Sequence, residues 1–148
     1  FAAESHVTRS ESTPEIFYHT NVEGTKIVLE EAFKARVKRV IHISTDEVYC
    51  STKTGSFNEN DKLPGDGQAS SAYAKSKSLA DDIAKGFARM GYPVIITRTT
   101  NNFGPWQFPE KALPRWITNL LLGHKIPLWG DGLQIRDWLF APENAGAI

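Results

Sequence analysis

Two runs of adjacent apolar residues organise the chain: Val40-Ile41-His42-Ile43 and Val94-Ile95-Ile96. Runs that are apolar at successive positions have both faces covered, so they predict buried strands, over Val40–Ser44 and Pro93–Thr97. Around them the apolar period changes from two to that of a helix. Phe17, Asn21, Gly24, Val28 and Ala32, with neighbours Thr25, Leu29 and Phe33, trace one helical face to about Arg36. Its start is marked by Ser12-Thr13-Pro14-Glu15, a capping hydroxyl followed by proline in the first turn and an early acid. A second helix is predicted from Ser71 to about Arg89, ending near Gly91, and a third over Leu113–Leu122 with Gly123 as its stop. Residues 51–70, rich in Gly, Ser, Asn, Asp and Lys, read as loop, as do residues 101–110 with Gly104-Pro105 and Pro109. Short strands are expected over Ile126–Leu128 and Ile135–Phe140, around the turn Gly130-Asp131-Gly132. Strands alternating with helices predict an α/β fold, a parallel sheet covered by helices. Such sheets bind ligands at the carboxyl ends of their strands. Asp46-Glu47 follows the first strand and Asn101-Asn102 the second, so both are candidates for one crevice.

Composition narrows the function classes. A chain of 148 residues suits one ordinary domain, and 17 basic against 17 acidic residues leave no net charge. That balance gives no electrostatic reason to expect nucleic acid or an anionic membrane as partner. No window approaches the ~18 consecutive apolar residues of a membrane span. The single cysteine, Cys50, excludes an internal disulfide and a cysteine-built zinc site. His6 and His42 have no metal-ligand spacing, so no metal is expected. A cytoplasmic protein is the expectation. Phe1-Ala2-Ala3 reads as the tail of a strand already under way, and A-P-E-N-A-G-A-I as a helix just beginning. Both ends point to a piece of a longer chain.

Two clusters could carry chemistry. Tyr73-Ala-Lys-Ser-Lys77 puts a phenol and an ammonium at i and i+4, on one helix face and ~5–6 Å apart at Cβ. A nearby cation favours the phenolate and is expected to lower the tyrosine's pKa, making a base for a sugar or alcohol hydroxyl. Lys75 faces elsewhere. The plainer reading is a Tyr and a Lys on a solvated helix. Asp46 and Glu47 offer a proton-transfer pair, one acid for a leaving hydroxyl and one carboxylate for a carbon-bound proton. Their plainer reading is a helix N-terminus that favours acids. Arg136 is either half of an ion pair with Asp137 or a phosphate ligand.

Taken in order, several segments resemble one known family. They are F-A-A-E-S-H-V-x-R-S, T-N-V-x-G-T, S-T-D-E-V-Y, Y-x-x-S-K, N-N-F-G-P-W-Q-F-P-E-K and G-D-G-x-x-I-R-D-W-L. The chain resembles the dTDP-glucose 4,6-dehydratases of the extended short-chain dehydrogenase/reductase superfamily, from Phe1 to Ile148. The resemblance implies the second half of a Rossmann-like NAD-binding domain over residues 1–100. It implies the beginning of a smaller nucleotide-sugar binding part over residues 101–148. It implies catalytic roles for Thr45, Asp46, Glu47, Tyr73 and Lys77. Tyr73 is then the redox base with Lys77 its helper, Thr45 a partner of the sugar's 4-oxygen, Asp46 the acid and Glu47 the C5 base. By the same resemblance Ala2, Ala3, Glu4, Ser5, Thr20 and Asn102 join Tyr73 and Lys77 around NAD. Ser5, Thr45, Asn101, Lys111, Ala112, Pro127, Trp129 and Arg136 hold the substrate, and helices 13–36 and 71–89 pair in a homodimer.

This chain departs from the family in places. It has no G-x-x-G-x-x-G loop, and Cys50 stands where a glycine is usual, Thr8 where an Asp is and Ala72 where a Pro is. A related epimerase, decarboxylase or UDP-glucose dehydratase, and a truncated dimerising module without catalysis, remain as alternatives.

Overall fold

The two apolar runs form a strand pair as predicted, but not a buried one: among the described residues their apolar side chains are all partly exposed, Ile95 by 46%, because helix packs on them without covering both faces. In the computed structural model, β1 (Val40–Thr45) and β2 (Val94–Thr99) run parallel, in register from Val40 opposite Val94 to Thr45 opposite Thr99. The structure describes residues 2–52, 55–63, 70–128 and 130–148. They fall into two units, Phe1–Thr99 and Thr100–Ile148.

In the first unit, α1 (Val7–Ser12) and α2 (Pro14–Phe17) lead into a π-helical turn, Tyr18–Glu23, and then α3 (Gly24–Lys34). The long helix expected from Thr13 is therefore one rod with a widened turn, since the residues at its joints keep helical dihedrals. It stops where Arg36 takes a left-handed φ of 52°. A short 3-10 turn, Asp46–Tyr49, follows β1, and α4 (Ala72–Arg89) packs against the π-helical turn, α3 and both strands. The contact face of α4 carries Ala74, Ala80 and Ala84, all fully buried. Residues without a long side chain let the helix approach closely, and Phe17, also fully buried, fills the space beside Tyr73 with its ring edge-on at 6.5 Å. Helix α1 was not anticipated. Its N-cap is the ring of His6, whose Nδ1 accepts from Arg9 N at 3.2 Å, and histidine is not among the usual capping residues.

The second unit corrects two expectations. Residues 101–110 begin as a strand: β3 (Asn101–Phe103) pairs in parallel with β4 (Trp138–Phe140), Asn101 opposite Trp138. Ile126–Leu128 carries no strand; side chains of α5 (Ala112–Leu121) take one carbonyl within it and one just before it. Trp116 Nε1 donates to Pro127 O at 3.1 Å and Asn119 Nδ2 to Lys125 O at 3.2 Å. Gly123 takes a left-handed φ of 73° just past α5, the stop read from the sequence. α6 (Ala141–Ala147) closes the chain. Among the described residues no helix is long and apolar enough to cross a membrane, and no group of His, Cys, Asp and Glu could hold a metal ion.

Candidate active site

The site is built on two neighbouring pieces, the turn that leaves β1 and the first turns of α4. Thr45 ends β1 in extended geometry, and its hydroxyl accepts from Glu47 N at 3.3 Å and donates to Asp46 Oδ1 at 3.2 Å. Thr45 thereby caps the 3-10 turn and orients the first acid. A 3-10 helix has about three residues per turn, so neighbouring side chains diverge by about 120°. Asp46 and Glu47 therefore leave the backbone in different directions from one point, both half-buried. Val48 and Tyr49 are buried and anchor the turn through a cluster with Leu63. The turn ends at Cys50, which holds φ 64° and ψ −157° and donates its N–H to Glu47 O at 3.1 Å.

Helix α4 presents Tyr73 from an end whose backbone is satisfied by three side chains. Ala72 N donates to Glu11 Oε1 at 3.0 Å, Tyr73 N to Ser10 Oγ at 3.1 Å, and Ala74 N to the N-cap Ser71 Oγ at 3.0 Å. The first three N–H groups of a helix have no intrahelical partner, so this capping fixes Tyr73 in place. One turn on, Lys77 is 6% exposed and donates from Nζ to Ile43 O at 2.7 Å, gripping the end of β1. Burial pushes the Lys77 pKa down, partly opposed by Asp81.

The sequence led us to expect a depressed Tyr73. The structure gives the opposite: the phenol is pushed up to about 12. Burial is the main cause, and the Glu47 and Asp46 charges add to it, against a hydrogen bond with Thr45 that lowers it. Lys77 stands on the same face as expected, but its ammonium is engaged by the Ile43 carbonyl. The same interactions show what the fold achieves: Thr45, Asp46, Glu47 and Tyr73 act on one another although they lie 26 to 28 positions apart in the chain.

The other predicted residues are distributed as follows. Ala2, Ala3, Glu4 and Ser5 lie in a segment that is neither helix nor strand. Asn21, 3% exposed, clamps it, with Oδ1 accepting from Glu4 N and Nδ2 donating to Glu4 O, both at 3.0 Å, and Nδ2 also to Ser76 Oγ at 2.9 Å. Thr20 is half-buried in the π-helical turn. In the second unit Asn101 and Asn102 sit on β3. Asn102 donates to Thr100 O at 3.0 Å and accepts from Asn144 Nδ2 at 2.9 Å. Lys111 precedes α5, 3.6 Å from Glu110, and Ala112 is the helix's first residue. Pro127 accepts from Trp116, and Arg136 is exposed and donates to Ile135 O at 2.9 Å. Trp129 lies outside the described residues. Ser10, Glu11 and Asn21 were missed as supports. Ser71 alone carried a readable signal, a hydroxyl just before a helix.

A parallel strand pair thus brings a hydroxyl-acid-acid turn beside a helical tyrosine, the juxtaposition expected from the sequence. The chain matches the NAD dependent epimerase/dehydratase family over residues 1–148 and belongs to it. It is 45% identical to a dTDP-glucose 4,6-dehydratase from Streptomyces antibioticus over 145 residues, 97% of this chain and 42% of that protein. A second such enzyme, from Streptomyces griseus, is 43% identical over 99% of this chain and 44% of its own length. Among solved structures it is similar to DesIV, a dTDP-glucose 4,6-dehydratase from Streptomyces venezuelae with NAD bound, at 46% identity and a TM-score of 0.91. That match covers 99% of this chain and 44% of DesIV. The chain thus spans less than half the length of the relatives it matches.

Proposed function

We propose that the protein dehydrates a nucleoside-diphosphate glucose, dTDP-glucose first among them, to the 4-keto-6-deoxy sugar, with NAD as its resident cofactor. One observation carries this reading: the Thr45-Asp46-Glu47 turn acts on the half-buried Tyr73 phenol. A simple alcohol oxidation needs the tyrosine alone; elimination of water needs an acid and a base besides. The residues present fit the nicotinamide side of NAD, since Tyr73 and Lys77 share one face at the carboxyl end of β1. The 148 residues hold no G-x-x-G-x-x-G loop for a pyrophosphate. Bound NAD would supply the acceptor for the C4 hydride and, after elimination, its return to C6, with the proton held by Glu47 going back to C5. Tyr73 takes the proton of the 4-hydroxyl, and Thr45 hydrogen-bonds the resulting 4-oxygen. Glu47 removes the C5 proton, which the adjacent ketone acidifies, and Asp46 protonates the departing 6-hydroxyl so that water leaves. With Lys77 already in place Tyr73 stays neutral far above neutral pH, so the positive charge of an oxidised nicotinamide beside it is what would lower it toward the working range.

In the same reading Asn101, Lys111, Ala112, Pro127, Trp129 and Arg136 contribute to the nucleotide-sugar cradle, and Ala2 to Ser5, Thr20 and Asn102 to the cofactor's surroundings. Exposed apolar residues on the first long helical segment, Ile27 at 56% and Val28 at 62%, support a homodimer through residues 13–36 and 71–89. A cytoplasmic setting fits a nucleotide-sugar substrate. The test is mass spectrometry of dTDP-glucose, UDP-glucose and GDP-mannose, each incubated with NAD and the protein made from its complete coding sequence. Loss of water from dTDP-glucose is expected. Epimerisation or decarboxylation without loss of water, or no change in any sugar, overturns the reading.

A further inference from the structure

Beneath the turn lies a buried polar cluster that the mechanism above does not use. Asp81 is fully buried on α4, one turn beyond Lys77 and two beyond Tyr73 on the same face. Arg98 of β2 donates from Nε to Asp81 Oδ2 at 2.7 Å. Its NH1 donates to the Tyr49 hydroxyl at 2.6 Å, and its guanidinium carbon lies 5.0 Å from the centre of the Tyr49 ring. Tyr49 is the last residue of the 3-10 turn that begins with Asp46 and Glu47. Its ring stacks on Phe57 at 5.1 Å, within 10° of parallel. On the other side, Asp81 Oδ1 lies 3.3 Å from His42 Nε2 of β1. One carboxylate and one guanidinium thus join α4, β1, β2 and the acid-bearing turn.

We propose that Arg98 and Asp81 form a positioning bracket that sets the Asp46-Glu47 turn against the Tyr73-Lys77 face of α4 by holding Tyr49. The arrangement is specific to a guanidinium. Its planar fork satisfies two partners at once, which an ammonium cannot do in the same geometry. A cluster that only filled space would be served as well by apolar residues, because buried ion pairs are poor net stabilisers. Tyr49 gives the bracket its leverage. The acids sit two and three residues before it on a turn whose other end is fixed by Thr45, so a shift of the Tyr49 hydroxyl is passed to Glu47 and Asp46. Tyr73 and Lys77 are held separately, by the α4 cap and by Ile43 O. The bracket therefore governs the elimination half of the chemistry and leaves the oxidation half alone. Tyr49, Arg98 and Asp81 act through other residues and are positioning residues, not catalytic ones.

This inference rests on the proposed dehydration, so its test has one arm that needs no substrate. Tyr49→Phe keeps the buried ring and the stack on Phe57; Arg98→Lys keeps the charge but not the fork. In the NAD-loaded protein both variants should lower kcat by ~10- to 100-fold, the scale of a small misplacement of reacting groups. KM for the sugar nucleotide should stay within about twofold, and the 4-keto sugar that still carries its 6-hydroxyl should accumulate. In the cofactor-free protein, with ring-labelled tyrosine, Tyr73 should titrate lower in both variants, as Glu47 moves off. Unchanged kcat together with unchanged Tyr73 titration overturns the bracket. So does a loss of oxidation and elimination in equal measure. A wild-type protein that dehydrates no sugar sinks the functional reading, and the tyrosine titration then decides on the bracket by itself.

Discussion

Replacing Cys50 by glycine should stabilise the protein, and the structure gives the size of the effect. Cys50 holds φ 64° with ψ −157°, a backbone region that is essentially glycine's own. A side chain held there costs on the order of 1–3 kcal/mol. Glycine removes that strain but frees the unfolded chain, which takes back about 0.4–1 kcal/mol. The net expectation is roughly 0–2.6 kcal/mol in favour of glycine, about 1.3 at the middle of both ranges. A chain of this length moves by roughly 2–4 °C for each kcal/mol, so the rise in Tm at that midpoint is on the order of 3–5 °C. Glycine removes the sulfur as well as the Cβ, so the proper comparison is Cys50→Ala against Cys50→Gly. Both lack the sulfur, and only alanine keeps the Cβ that the dihedral disfavours. Both keep the N–H that closes the turn on Glu47 O. Urea unfolding of the two variants, read by far-UV circular dichroism, measures the difference. If the glycine variant is no more stable than the alanine variant, the backbone argument is wrong.

Three more outcomes are expected. Asp81→Asn should cost about 3–5 kcal/mol, the scale for leaving a buried partner charge alone, measured by denaturant unfolding at pH 7. Burial would raise the Asp81 pKa, but His42, Ser44 and Arg98 together hold it below 3.8. Its contribution is therefore present above that ordinary value and lost as pH falls through the lower folded value, and the variant should lack this acid limb in a stability-against-pH curve. Glu47→Gln removes a charge that raises Tyr73 and should bring its titration below the wild type's value of about 12, followed by NMR of labelled tyrosine; an unmoved Tyr73 would place the carboxylate elsewhere. Ser10→Ala deprives Tyr73 N of its acceptor and should cost about 0.5–2 kcal/mol in urea unfolding, while the exposed Ser12→Ala should cost less.

What the sequence made legible follows from where each signal is stored. The strands could be read because adjacent apolar, β-branched residues, Val40-Ile41 and Val94-Ile95-Ile96, favour extended chain, although the burial they implied is not met, with Ile95 46% exposed. Helix α4 could be read because its period and its Ser71 cap are local. The support of Tyr73 could not, since Glu11 and Ser10 act across 61 and 63 positions and leave no local pattern. The direction of the Tyr73 shift was misread for a related reason. Spacing places Lys77 on the right face, but burial and the reach of Glu47 are tertiary facts. Ile126–Leu128 looked like a strand because strand-like composition does not reveal that Trp116 and Asn119 claim its neighbouring carbonyls.

The capped end of α4 has a further consequence. A helix N-terminus is ordinarily a ready seat for a phosphate, because free N–H groups and the dipole point at it together. Here the N–H groups of Ala72, Tyr73 and Ala74 are all occupied by the chain's own oxygens, and one of those belongs to the carboxylate of Glu11. A diphosphate arriving at this end would meet a negative charge already in place and no unengaged donor among those three. The end of the helix that carries the tyrosine is thus no ready seat for the anionic part of a nucleotide, which must find its donors elsewhere.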